Sequence, residues 1–286
     1  MHKHRQRNIK TRLNIEKPTV KGQHLLHYEP VIHDMIGMAE VTSADTVLDL
    51  GAGRGAITFP LAKKAGRVLA IENDAAFAAT LRQKAVPGSN VAVIERDIRE
   101  AYFPKEPFHV VANIPFFMTT FILEKLLDPP GSSFQGAVLI VQHGAAKGFT
   151  ARQIRSSRLL KWRMCFDFEL VKVVPRRHFS PPPQVDAALL RIRRRKSPWV
   201  ESRHHHAFGG LAEYALDDPA MPVSEALAGI FTPVQMRHLL QQIQVDRNTP
   251  VCLLRERDWA NVFDTMREKV PSYRWPKATT KKKSAR

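Results

Sequence analysis

Cysteine is scarce in this sequence, acid is outnumbered, and no long apolar run is present. Two cysteines, Cys165 and Cys252, stand 87 positions apart in the numbering with no second pair at metal spacing, which excludes a zinc cluster or a disulfide framework and leaves two buried thiols. No apolar stretch approaches the roughly 20 residues of a membrane helix, and the basic first ten residues lack the apolar core of a secretory signal. The expectation is a cytoplasmic protein with no membrane partner. Acid is short: 27 Asp and Glu face 44 Lys and Arg, for a net charge of +17. Residues 1–21, 176–196 and 271–286 each carry a net +6, which leaves the rest close to neutral. A near-neutral body with three basic segments is the pattern of a polyanion binder. Solubility alone explains basic ends, but not a cluster inside the chain. What is present, 286 residues with 44% hydrophobic content, is enough for one domain of ordinary size and a smaller one.

The organising stretch is residues 46–58. An apolar run feeds into Gly51, Gly53 and Gly55, which reads as a buried parallel strand ending in a tight turn where the backbone approaches a ligand. A helix follows, with Pro60 in its first turn. A glycine trio is weak evidence alone, because dinucleotide sites carry a similar one. Here Asp49 precedes it, and a second strand at 68–71 ends in Glu72, placed to accept the two ribose hydroxyls of a nucleoside. A third strand at 91–94 is followed by Asp97, suited to the exocyclic amine of an adenine. A fourth at 108–112 ends in Asn113-Ile114-Pro115-Phe116. This order looks like a methyltransferase that uses S-adenosylmethionine.

The fourth strand end is the chemical centre. An adenine N6 amine is a poor nucleophile, its lone pair being delocalised into the ring. The Asn113 amide oxygen and the Ile114 carbonyl form an acceptor pair for both amine hydrogens. Asn takes no proton, so the work is positioning and electrostatics. Pro115 fixes the turn, and Phe116 offers a face to the extruded base.

The remaining chain reads more plainly. A helical pattern runs through Val31, Ile32, Met35, Ile36 and Met38; the Gln23-His24-Leu25-Leu26 segment before it reads as a helix-capping loop, with a fold over the cofactor as the alternative. Helices are expected over 74–84 and 119–127, the latter stopped by Asp128-Pro129-Pro130-Gly131. Further strands are expected at 136–141, 171–174 and 185–192, the last closing the sheet. Three prolines, 181–183, predict an extended loop. Phe179, beside Arg176 and Arg177, is either a base or phosphate contact or part of a structural loop. His204-His205-His206 lacks further ligands and reads as a helix start or a polar surface. Helices are expected over 209–216, 224–228, 232–243 and 259–270, and the last sixteen residues either contact RNA or pack back on the body.

Taken together, these residues resemble the erythromycin-resistance (Erm) family of ribosomal RNA adenine-N6 methyltransferases. The resemblance rests on Gly-Gln-His-Leu-Leu at 22–26, Asp-Leu-Gly-Ala-Gly-Arg-Gly at 49–55, Ile-Glu-Asn-Asp at 71–74, Arg-Asp-Ile at 96–98, Asn-Ile-Pro-Phe at 113–116 and Phe-Ser-Pro-Pro-Pro-Gln-Val-Asp at 179–186. It implies an α/β fold, a Rossmann-like S-adenosylmethionine-binding sheet over 22–196, a helical RNA-binding domain over 197–270, a basic arm at 1–21 and a basic tail at 271–286. It implies cofactor contacts from His24, Leu26, Gly51, Glu72, Asp97 and Asn113, and a catalytic pair in Asn113 and Phe116. No metal is implied. The implied partner is 23S ribosomal RNA before full ribosome assembly, methylated at one adenine of the peptidyl-transferase region by a monomeric enzyme, which blocks macrolides, lincosamides and streptogramin B. His24 stands where the family usually has Asn, and Phe116 where Tyr is commoner. A small-subunit rRNA dimethyladenosine transferase shares these loops and usually carries Asn-Leu-Pro-Tyr.

Overall fold

The computed structural model describes residues 24–128 and 133–278. The expected basic arm, Gly22 and Gln23, the Pro129-Pro130-Gly131 helix stop and residues 279–286 of the basic tail lie outside the described residues. The strands are β1 (Leu25–Leu26), β2 (Thr46–Leu50), β3 (Arg67–Glu72), β4 (Val91–Glu95), β5 (Phe108–Asn113), β6 (Phe134–Gln142), β7 (Phe166–Val174), β8 (Phe179–Ser180) and β9 (Ala187–Arg194). The helices are α1 (Glu29–Met38), α2 (Thr58–Ala62), α3 (Ala75–Lys84), α4 (Thr119–Leu127), α5 (His143–Thr150), α6 (Ser157–Cys165), α7 (His205–Ala215), α8 (Val223–Ala226), α9 (Pro233–Ile243) and α10 (Glu256–Lys269).

Seven strands form one sheet in the order β4-β3-β2-β5-β6-β9-β7. The first five run parallel. They read as near-continuous apolar runs because both faces are covered. Alternate residues serve the two faces. Val47, Val68, Val111 and Ile140 pack with Val31, Ile32 and Met35 of α1 and with Leu61 of α2. Leu48, Leu69, Val110 and Ala112 belong to the other cluster, with Ile122 and Leu126 of α4. From β2 the chain builds outward to β3 and β4, then crosses back to β5 on the other flank. The crevice at the carboxyl ends of β2 and β5 is therefore the switch point at which open α/β sheets bind ligands.

The α/β architecture stands as expected, with local corrections. The strand expected at 185–192 is observed as β9 and does not close the sheet; it lies between β6 and β7, antiparallel to both. The edge is β7, which begins at Phe166, five residues before the expected strand. Its first half alternates Phe166, Asp167, Phe168, Glu169, and the acids reach across: Glu169 pairs with Arg191 of β9 at 2.6 Å and Asp167 with Arg195, just past its end, at 2.6 Å. Arg194 donates to the Phe134 carbonyl at 2.7 Å and lies over the Phe166 ring. Three of the seven basic residues of the interior cluster, Arg191, Arg194 and Arg195, are thus held at the sheet edge. Helices α5 and α6 were not expected. In α5 only Ala146 is fully buried, so there is little apolar period to read. Phe179 is 1% exposed and sits in the core, so no base contact is open to it here. The Ser180–Pro181 bond, at the entry to the proline run, is cis.

After β9 all elements are helical. His205 opens α7, in line with a helix start, and its Nε2 lies 3.0 Å from Cys165 Sγ. Helix α9 is fixed at its start by a Thr232–Gln235 capping box with Pro233 in the first turn. Trp259, Phe263 and Leu239 join the same buried cluster as the α4 face of the sheet. Ion pairs Lys161–Glu213 and Arg163–Glu256 tie α6 to α7 and α10. Residues 271–278 fold back: Trp275 Nε1 donates to the Val270 carbonyl at 2.8 Å, and a Cβ on Gly210 would run into the Pro276 carbonyl. Among the described residues no helix is long and apolar enough to cross a membrane.

Candidate active site

The β2 turn is held from below and behind. Gly51 and Ala52 N–H both donate to the Ile71 carbonyl, at 2.8 and 3.1 Å, which ties the loop to the end of β3. Gly51 has φ +75°, and a Cβ there would lie 3.6 Å from Pro115 Cδ. Gly53 has φ +53°, and its Cβ would come within 2.9 Å of Leu25 Cδ2. Both conformations favour glycine; a Cβ on Gly51 would make only ordinary contact, whereas one on Gly53 would require the Leu25 side chain to shift. Asp49 lies buried beneath the loop and accepts from Thr58 Oγ1 at 2.7 Å. Burial pushes its carboxyl up to about 7; the Thr58 hydroxyl opposes this and the Glu72 charge adds to it.

Glu72, at the end of β3, is buried with its carboxylate fixed by backbone donors. Oε2 accepts from Gly53 N–H at 2.7 Å, and Oε1 from Asn73 and Asp74 N–H at 2.8 Å each. A carboxylate offers about four acceptor positions, so one is left, on Oε2.

Asn113 closes β5. Its Nδ2 donates to the His24 carbonyl at 2.7 Å, and its Oδ1 has no partner among the described residues. The turn beyond is rigid: Met118 N–H donates to the Pro115 carbonyl at 2.9 Å and Thr119 Oγ1 to the Phe116 carbonyl at 2.9 Å. The His24 segment is anchored to the far end of the domain. Strand β1 pairs antiparallel with β8, Leu25 opposite Ser180, and His24 Nδ1 lies 2.8 Å from the Pro181 carbonyl. The His24 ring sits 5.9 Å from Phe116, tilted. The segment expected as a capping loop is therefore a wall of the site.

Five residues singled out from the sequence, His24, Gly51, Glu72, Asn113 and Phe116, line one cleft, joined by Leu25, Gly53, Ile114 and Pro115. Two do not line it. Leu26 is turned into the core with Val31 and Ile32, because successive residues of a strand face opposite ways and Leu25 takes the cleft side. Asp97 is bound by its neighbour: Arg99 donates from its backbone N–H at 2.8 Å and from Nε and Nη2 at 3.0 and 2.6 Å. That guanidinium holds the Asp97 carboxyl below the usual carboxylate range. Leu25 was the residue the sequence reading missed; strand parity next to His24 was the available signal. Nothing local announces the Pro181 contact, 157 residues away.

Comparison with known proteins finds likeness to ribosomal RNA methyltransferases over most of the chain. The model of the ribosomal RNA adenine dimethylase family matches residues 16–268. An rRNA adenine N-6-methyltransferase of Bacillus licheniformis is 45% identical over 267 residues, covering 93% of each chain. One from Bacteroides fragilis is 34% identical over 250 residues, 87% of this chain and 94% of its own. The solved 23S rRNA methyltransferase ErmE superimposes with a TM-score of 0.77 at 27% identity, over 85% of this chain and 99% of its own.

Proposed function

This chain belongs to the ribosomal RNA adenine dimethylase family and is an rRNA adenine-N6 methyltransferase, and from that premise we propose that it methylates one adenine of 23S ribosomal RNA from S-adenosylmethionine, conferring resistance to macrolides, lincosamides and streptogramin B. The observation that carries the reading is the meeting, at one switch-point cleft, of an unpartnered Asn113 oxygen, the Gly51–Gly53 turn and Glu72. The 23S target is supported by the likeness to ErmE across most of the chain. We place the reaction in the cytoplasm, on RNA not yet fully assembled, with the enzyme as a monomer. The division into an arm over 1–21, a catalytic domain over 22–196, an RNA-binding helical domain over 197–270 and a tail over 271–286 belongs to the same proposal.

The residues fit an adenosine-bearing cofactor. The turn carries no side chain at Gly51 and Gly53, and Glu72 Oε2 retains one acceptor position for a ribose hydroxyl. When bound, S-adenosylmethionine supplies an electrophilic methyl group. The protein supplies the rest. Asn113 Oδ1 accepts a hydrogen from the adenine amine and turns its lone pair out of conjugation; as an amide it removes no proton, so the proton leaves to water after transfer. The Nδ2 bond to the His24 carbonyl fixes which way that amide points. Phe116 presents its face to the extruded base. Asp49, its carboxyl pushed up to about 7 by burial and so mostly neutral below that pH, keeps a second negative charge away from Glu72. His24, Gly51 and Glu72 hold the cofactor; Leu26 and Asp97 contribute through the backbone positions of their segments.

The test is methyl transfer from labelled S-adenosylmethionine to unmodified 23S and 16S transcripts. Labelling of 23S RNA, with a primer-extension stop at one adenine of the peptidyl-transferase region, is expected. Labelling of 16S RNA alone would overturn the target.

A further inference from the structure

The helix that leaves the catalytic turn carries an exposed aromatic face that the reaction as described does not use. Phe116 lines the cleft, yet Phe117, the next residue, is 77% exposed. Phe121 is 40% exposed. The turn Phe116–Met118 runs directly into α4, so Phe117 stands just ahead of the helix and Phe121 in its first turn, four residues further along the chain. The opposite side is spoken for by Ile122, Leu123 and Leu126 in the core. One turn further on, Lys125 Nζ binds the carbonyls of Ile98 and Ala101 at 2.8 and 2.5 Å and joins this helix to the 98–101 loop. Just past that loop stands Tyr102, 86% exposed, with the Arg96 guanidinium 5.9 Å over its ring.

We propose that Phe117 and Phe121 are positioning residues that stack the nucleobases next to the target adenine in the substrate RNA. The inference rests on the reading that an rRNA adenine enters the Asn113 cleft. Withdrawing a base from its strand leaves its neighbours without a stacking partner. A ring beside the cleft mouth replaces that partner, and every base has a face to offer it, so stacking needs no particular sequence. The face is continuous with the cleft through Phe116, which points to the strand that enters the cleft as the occupant. An exposed apolar pair at such a place is otherwise a solubility burden.

Steady-state methylation of a 23S transcript tests this with Phe117→Ala, Phe121→Ala and Phe117→Trp, alongside calorimetry of cofactor binding. Each alanine variant is expected to raise KM for RNA about fivefold, while kcat at saturating RNA and cofactor affinity stay near the parent's. Phe117→Trp restores KM. A transcript with abasic nucleotides either side of the methylated adenine costs the parent a similar factor and costs the alanine variants nothing more. Alanine variants with the parent's KM, or penalties that simply add to the abasic ones, overturn the inference and leave the proposed function intact. A parent that methylates no RNA overturns both.

Discussion

The parallel and antiparallel halves of the sheet use charge in opposite ways. At the carboxyl end of β3, Glu72 is buried and held by backbone donors, with no cation paired to it among the described residues, while Asp49 on β2 sits on the Thr58 hydroxyl with its carboxyl pushed up by burial. On the edge strand β7, Asp167 and Glu169 are half-exposed and pair with Arg195, just past the end of β9, and with Arg191 on β9. Charge that is buried and fixed by N–H groups is available to a ligand; charge cancelled across a ladder keeps an edge soluble and closed. Counting lysines and arginines along the chain therefore overstates how much of the 176–196 segment is free for RNA.

Substitutions at the two ends should separate sharply. The largest effect belongs to Asn113→Ala, expected to lower single-turnover methyl transfer about a thousandfold with the melting temperature near the parent's. Next is Asp49→Asn. Burial pushes the native carboxyl up to about 7 from its ordinary value of 3.8, so between these the folded state holds a proton that the unfolded chain has released. The stability this lends is complete below about pH 4 and lost as pH rises through about 7. The Asn variant keeps the Thr58 hydrogen bond without the titration, so denaturant unfolding should show it gaining up to about 4 kcal/mol on the parent by pH 8. A parent whose stability is flat from pH 5 to 8 would remove the basis for this. Gly53→Ala comes third: positive φ and the approach of Leu25 should weaken cofactor binding about tenfold and cost about 1 kcal/mol, read by calorimetry and melting. The smallest effect is expected at the other half. Arg191→Ala should cost no more than about 1 kcal/mol and leave RNA affinity almost unchanged. A large loss of RNA binding there would erase the contrast.

The same contrast explains what could be read from the sequence. The inner parallel strands announce themselves because burial on both faces leaves them apolar, as in Val47-Leu48 and Val110 to Ala112. The Gly51 and Gly53 turn and the Asn113–Phe116 turn follow directly from strand ends. Contacts that depend on distant pairing did not show. Strand β1 meets β8 from across most of the chain, which decides that Leu25 and not Leu26 faces the cleft. The Arg99 clamp on Asp97 is local, but adjacent opposite charges are too common in sequences to signal it. In α6, Leu159, Leu160, Trp162, Met164 and Cys165 are all buried, so no single apolar stripe marks a helix.

The most direct measurement is a structure of the enzyme with S-adenosylhomocysteine and an RNA oligomer carrying the methylated adenine. The account predicts the adenine N6 within hydrogen-bond distance of Asn113 Oδ1, its ring on Phe116, and the ribose of the cofactor product on Glu72. An adenine seated elsewhere, or an Asn113 amide turned away from it, would contradict the account.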